Sequence, residues 1–383
     1  MKHSTDRILT THVGSLPRPH DLLDMLKLQI QGEGDDAAWA DKLCQTVEDI
    51  VKLQVDNGMD IVADGEMSKP GHAFYINDRL EGYEPRPDVD LGYHKQECDC
   101  FPEYYEEYFQ RAMLGGALTP SSPMCCVGPV KYVGHDALQT DLKNLRAACD
   151  KLGVEEAFMP CAAVTGVGFN EYYASDEEYM FALADALIEE HRGIIDAGFL
   201  LQVDDPFMPH IFNEQSLSDK EKDAKASLYA EAINHSLKGI PEDKVRFHTC
   251  YGINQGPRVY EPELPRIIEH VLKVNACAYS FEAGNPRHEH EYHMWDDIKL
   301  PEGKILIPGV ITHASQVVEH PEYVAERIIR FAERVGRENV IAAPDCGFSS
   351  QAMYKTEIHP KIVWAKFKAM SDGAAIATKK LWS

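Results

Sequence analysis

The chain has 383 residues and is strongly acidic, with 62 Asp and Glu against 38 Lys and Arg and a formal net charge of −24. That balance opposes binding to phosphate backbones and excludes nucleic acid as an expected partner. Its 44% hydrophobic and 26% charged residues are ordinary for a globular protein, and no apolar run approaches the roughly 18 residues that cross a bilayer, so no membrane insertion is expected.

Apolar β-branched runs alternate along the chain with stretches of helical period. Residues 38–57 place Leu43, Val47, Ile50, Val51 and Leu53 near helical spacing, Gly58 closes that helix, and MDIVADGE reads as a strand ending in acid. Residues 85–130, rich in Pro, Tyr, acidic residues and Cys, carry little periodicity and read as an insertion, a hairpin or helical excursion over the mouth of the fold. A helix at 178–195 leads into the strand LLQVDDP, a helix near 221–238 into VRFHTCYG, and a helix near 262–273 into ACAYSFEAG. KILIPGVITH, a helix at 321–336 and VIAAPDCG complete the series.

Such alternation predicts a parallel sheet. Polar residues collected at the C-terminal end of each strand favour a closed (β/α)8 TIM barrel of the α/β class over an open sheet, with 1–383 as one domain carrying the 85–130 insertion. Counted along the rim, Asp204, His248, Glu282, His313 and Cys346 are separated by 44, 34, 31 and 33 residues. Each interval is close to the roughly 30 residues of one strand-plus-helix unit.

Four of the residues in this region suit one zinc ion. His248 and Cys250, at i and i+2 on an expected strand, point to the same face; Glu282 follows 32 residues after Cys250, and Cys346 follows 64 residues after Glu282. Zinc favours thiolate and imidazole, accepts carboxylate and prefers four ligands, whereas a thiolate-bearing site disfavours magnesium or calcium. The bland alternative for each Cys is a small buried hydrophobe. The His-rich tract HEHEYH (His288, His290, His293) reads as a loop bordering the pocket, and CDC at 98–100 and the Cys125–Cys126 pair lack the spacing of a zinc knuckle. No G-x-S-x-G elbow, Walker loop or dinucleotide glycine loop is present. The N-terminal MKHSTDRILTTHVGS lacks a secretory layout, and ten Cys in such a chain read as reduced thiols and metal ligands, so the expected location is the cytoplasm.

The segments TTHVGSLPRP (10–19), DGE (64–66), QVDDP (202–206), HTCYG (248–252), the Glu282 strand, PGVITH (308–313) and APDCGF (343–348) run in the order of, and together resemble, the catalytic domain of cobalamin-independent methionine synthase. The barrel also resembles, more distantly, uroporphyrinogen decarboxylase. The methionine synthase resemblance implies a barrel whose Zn2+, held by His248, Cys250, Glu282 and Cys346, activates the thiol of homocysteine. It implies that Ser15 contacts the amino acid's carboxylate, that Glu66 and Asp204 hold its ammonium, and that His313 relays a proton. His313 stands one residue closer to the PGV turn than in the large enzymes, and the chain begins directly at the catalytic half, which leaves the methyl donor open between a methylfolate and a corrinoid-bound methyl group. Relatives of the epoxyalkane:coenzyme M transferase kind share the zinc-thiolate chemistry, and Arg18, Lys69 and Arg287 lie beside candidate rim segments, so the sequence does not exclude a sulfonate-bearing thiol. A noncatalytic zinc-stabilised binding protein is the reading from another class, disfavoured because structural sites draw their ligands from short-range knuckles. Whether the chain forms a homo-oligomer is left open by the sequence.

Overall fold

The computed structural model describes the chain except residues 73, 90, 91, 93, 113, 114, 120, 121, 253 and 254. Its strands are β1 (Leu9–Thr10), β2 (Ile61–Val62), β3 (Leu80–Pro85), β4 (Met124–Tyr132), β5 (Glu156–Ala162), β6 (Phe169–Asn170), β7 (Leu200–Asp205), β8 (Val245–Thr249), β9 (Ala278–Phe281), β10 (Ile305–Ile311) and β11 (Ile341–Pro344). Eight of them form one parallel sheet in the order β1-β11-β10-β9-β8-β7-β5-β2. The ends of that sheet meet, with the Asp60 N–H donating to Thr10 O at 3.0 Å and Thr11 Oγ1 donating to Ile61 O at 3.0 Å. The result is a nearly closed eight-stranded barrel surrounded by helices. Six of the strands were legible as apolar runs; β1 and β5 complete the ring.

The strands read as continuous apolar runs because both of their faces are buried. Ile61, Phe158, Leu200, Ile305, Ile307 and Ile341 fill the barrel, while the outward side chains pack against the helices. Arg246 brings a charge inside: fully buried over the Phe158 ring, it donates to Thr11 Oγ1 and His12 O at 3.0 and 2.8 Å. The expected helices are present as Asp36–Asp56, Asp176–Asp196, Asp219–Ser236, Leu264–Val271 and Pro321–Val335. Asp35 accepts from the Ala37 and Ala38 N–H groups, and Ser218 with Glu221 forms a reciprocal capping box; each such cap is worth about 1 kcal/mol.

The stretch read as aperiodic is both hairpin and helical. β3 pairs antiparallel with β4, β6 lies along β4, and the helices Lys95–Cys100 and Pro102–Arg111 fall between β3 and β4. Tyr105 and Tyr108 form its small core, which explains the Tyr-rich composition. The excursion reaches the loops that leave the C-terminal ends of β8 and β11. Glu97 Oε1 accepts from the Tyr260 N–H at 2.8 Å, Tyr108 Oη donates to Glu357 at 2.6 Å, and the Leu118 N–H donates to Ala352 O at 2.8 Å. No helix among the described residues is long and apolar enough to cross a membrane.

Candidate active site

Three groups of ligand-type side chains gather at the C-terminal ends of the barrel strands. His248, Cys250 and Cys346 form the first, Glu66, His72 and Asp204 the second, and Glu282, His313 and Asp345 the third; within each, the donor atoms lie within 4.8 Å of one another.

The first group is set by β8 and the turn after β11. His248 is the penultimate residue of β8, in register with Asp204 of β7 and Ser280 of β9. Cys250 lies one residue beyond the strand's end at Thr249, so the expectation that strand alternation alone places both side chains is corrected: the turn carries Cys250 to the same site. Ser280 Oγ sits 3.0 Å from His248 Nδ1 and fixes the ring, leaving Nε2 buried without a hydrogen-bond partner. Burial, reinforced by the charges of His72 and Arg246, holds His248 well below the ordinary histidine range, so its lone pair is available. The Cys346 thiol is pushed well up by its hydrogen bond to Cys250 and by burial. A buried, neutral, unpartnered imidazole nitrogen beside two thiols fits a soft divalent metal ion, since an orphaned polar atom in a native interior otherwise carries a cost of about 1–3 kcal/mol. All ten cysteines are free thiols.

Glu282 lies next to this group without joining it. One oxygen accepts from the Tyr251 N–H at 3.2 Å; the other takes the Arg258 guanidinium at 2.6 Å and Asn285 Nδ2 at 3.0 Å. Three of the four expected ligands are therefore brought together, while the fourth is held by an arginine that the sequence reading did not single out. Arg258 also pairs with Glu261, and His288 bridges Glu261 and Glu291 while stacking on Tyr251 at 4.2 Å. The first histidine of the His-rich tract is thus part of a buried ion-pair network under the rim.

The second group contains the expected pair Glu66 and Asp204, buried at 2% and 5% exposure, and adds His72. His72 Nδ1 is 3.9 Å from Glu66 and 3.6 Å from Asp204, and it rises above the ordinary range because the two carboxylates outweigh the burial that would lower it. Burial drives Asp204 up to about 7, against the charge of His72. Burial also opposes ionisation of Glu66, but His72, Lys69 and Arg18 hold it below its usual value. Glu66 has a left-handed backbone, φ 60°, and one buried oxygen without a partner. It packs against Gly14, where a Cβ would lie 2.9 Å from Oε1. A non-glycine residue in that conformation is costly and marks sites where geometry is over-determined. The His72 loop is tied to the loop after β11 through the His72 N–H to Ser350 O, at 2.8 Å. Ser15 lies against that same loop: the Phe348 N–H donates to Ser15 O at 3.0 Å, and a Cβ on Gly347 would meet Ser15 Oγ.

His313 ends the third group. It is 2% exposed, burial lowers it to about 4, and its Nδ1 has no hydrogen-bond partner. Asp345 is anchored by the Ala283 and Gly284 N–H groups at 2.8 and 2.5 Å. The PGV segment expected as a turn lies within β10, and its Gly309 makes room for Asp345: a Cβ there would lie 2.0 Å from Asp345 Oδ1. Of the three cations proposed for a sulfonate, Arg18 donates to Ser349 O and Glu66 O, Lys69 to Pro160 O and Arg287 to Val259 O.

Residues 127–366, more than half the chain, match the model of the cobalamin-independent synthase catalytic domain. Over 97% of its length the chain is 24% identical to a methionine synthase of Sulfolobus acidocaldarius, covering 93% of that protein. It is 23% identical to a methionine synthase of Thermococcus kodakarensis, covering 97% of this chain and 94% of that one. The fold superposes on a B12-independent methionine synthase from Shewanella sp. W3-18-1, solved with selenomethionine, with a TM-score of 0.73 at 18% identity, spanning 98% and 99% of the two chains.

Proposed function

The chain belongs to the cobalamin-independent synthase catalytic-domain family, and on that premise we propose that it is a methyltransferase that methylates the sulfur of homocysteine at a zinc ion held by His248, Cys250 and Cys346. Glu282, held beside this group by the Tyr251 N–H, Arg258 and Asn285, would supply the fourth ligand and give it up to the substrate sulfur. The observation that carries this reading is the buried His248 Nε2 without a partner, facing two thiols at the mouth of the barrel. A thiol with an ordinary pKa near 8.5 is mostly protonated at neutral pH, and a zinc ion bound here would hold it as a thiolate.

The chain's own residues do the rest. Glu66 and Asp204 present two carboxyl groups to one small space, which suits an ammonium group; His72 stands beside both and is raised above its ordinary range by them. Ser15, positioned by Gly347 and Phe348, faces the substrate carboxylate. His313 is neutral at physiological pH, and its free Nδ1 is a proton acceptor. The excursion is anchored to the loops that follow β8 and β11, beside the site. The two carboxyl groups of Glu66 and Asp204 in one buried space support an amino-acid thiol over one ending in a sulfonate, which would want a cation there instead.

The reading is tested by incubating the zinc-loaded protein with homocysteine and, in turn, methylcobalamin and methylfolates as donors. Methionine formed from one of these donors is the expected result. Alkylation of coenzyme M with no reaction of homocysteine would overturn the substrate assignment.

A further inference from the structure

Arg258 occupies a place that a loop arginine rarely takes. It is 4% exposed, has a left-handed backbone with φ 59°, and is surrounded by carboxylates. Its Nε lies 2.7 and 2.8 Å from the two oxygens of Glu261, and one terminal nitrogen lies 2.6 Å from Glu282 Oε2. The other terminal nitrogen is buried without a hydrogen-bond partner. Holding a non-glycine residue in the left-handed region and burying a guanidinium are both unfavourable, and the two carboxylates offset them. Glu261 is itself secured by His288, 2.8 Å away, so the fork is braced from behind. Both Glu282 oxygens are accordingly engaged, one by the Tyr251 N–H and one by Arg258 and Asn285.

We propose that Arg258 is a positioning residue that competes with the metal for Glu282: it supplies the resting place of the carboxylate when the substrate sulfur takes the fourth ligand position. This rests on the zinc reading above. Arg258 acts through Glu282. Exchange of ligands conserves charge locally, because the carboxylate leaving the metal moves onto a guanidinium instead of into an apolar interior, where an unpaired charge is strongly disfavoured. Without Arg258 the carboxylate has one destination fewer and stays on the metal.

The test uses the full-length metal-loaded protein, with cobalt replacing zinc so that the visible absorption reports the ligand set, and with zinc affinity measured by chelator competition. Arg258→Asn is the principal variant, since Asn tolerates the left-handed backbone and is too short to reach Glu282. It is expected to bind zinc about tenfold more tightly, opposite in sign to the loss of affinity that follows when a partner that merely orients a metal ligand is removed. It also requires correspondingly more homocysteine to shift the cobalt spectrum. In a Glu282→Gln background the same substitution is expected to change neither quantity. If Arg258→Asn does not fold, Arg258→Lys, which loses the fork, is read in the same way with a smaller shift. An Arg258 effect of equal size with and without Glu282, or a loosened metal, would overturn the inference alone. A wild type that binds neither cobalt nor zinc would instead overturn the metal reading and this inference with it.

Discussion

Glu66→Gln preserves the side chain's shape and removes its charge, so it separates recognition of an ammonium group from packing. Glu66 is 2% exposed and, with Asp204, lies beside His72, whose Nδ1 is 3.9 Å from Glu66 and 3.6 Å from Asp204. A substrate ammonium entering this space makes charge-assisted hydrogen bonds worth about 1.5–3 kcal/mol each. Losing one corresponds to a roughly 10- to 150-fold weaker dissociation constant for homocysteine. The contact is remote from the sulfur, so the loss falls on binding more than on turnover. Titrating the cobalt-loaded protein with homocysteine and with 4-mercaptobutyrate, which lacks the amine, reads this without knowledge of the methyl donor. The variant should bind homocysteine more weakly while its affinity for 4-mercaptobutyrate stays within about twofold, since no ammonium contact is lost. Equal shifts for both thiols, or none for homocysteine, would refute the assignment of Glu66 and Asp204 to the amine.

Ser280→Ala frees the His248 ring that Ser280 Oγ fixes at 3.0 Å, and zinc affinity by chelator competition should fall about 10- to 100-fold. Gly309→Ala drives a methyl group to 2.0 Å from Asp345 Oδ1 and 2.7 Å from its Cα. That contact involves backbone, so urea denaturation should show a loss of about 3 kcal/mol, and a loss below about 1 kcal/mol would contradict the packing. In the metal-free protein, Asp204 contributes a pH dependence of defined sign. The unfolded carboxyl ionises near 3.8 and the folded one near about 7, so the folded state holds the extra proton in between. Stability of the wild type should therefore fall relative to Asp204→Asn as pH rises from about 4 to 7, and a constant difference across that window in thermal melts would contradict the raised value.

The sequence showed the rim more clearly than the ring that carries it. Asp204, His248, Glu282, His313 and Cys346 stood out because each closes an apolar run, and a strand buried on both faces must stop where polar side chains begin. β1 has only two residues, too short for any periodicity to register, and β5 falls in a stretch without rim histidines or thiols beyond Cys161. His72 was missed because a single His in a loop carries no pattern; its role comes from lying between Glu66 and Asp204, which are 138 residues apart in the chain. The Glu282–Arg258 pair was equally hidden, since a side chain 24 residues upstream in a loop becomes its partner only once β8 and β9 are adjacent. The Tyr and Cys of the 85–130 stretch looked like composition without period because its helices are only 6 and 10 residues long and its strands belong to a separate small sheet.

The most direct test is the metal content of the wild type and of Cys346→Ser, purified and reconstituted side by side. About one zinc per chain in the wild type, lost or greatly weakened in the variant, is the result expected from a site in which Cys346 joins Cys250 and the free His248 nitrogen. Full occupancy in the variant, or no zinc in a well-folded wild type, would contradict it.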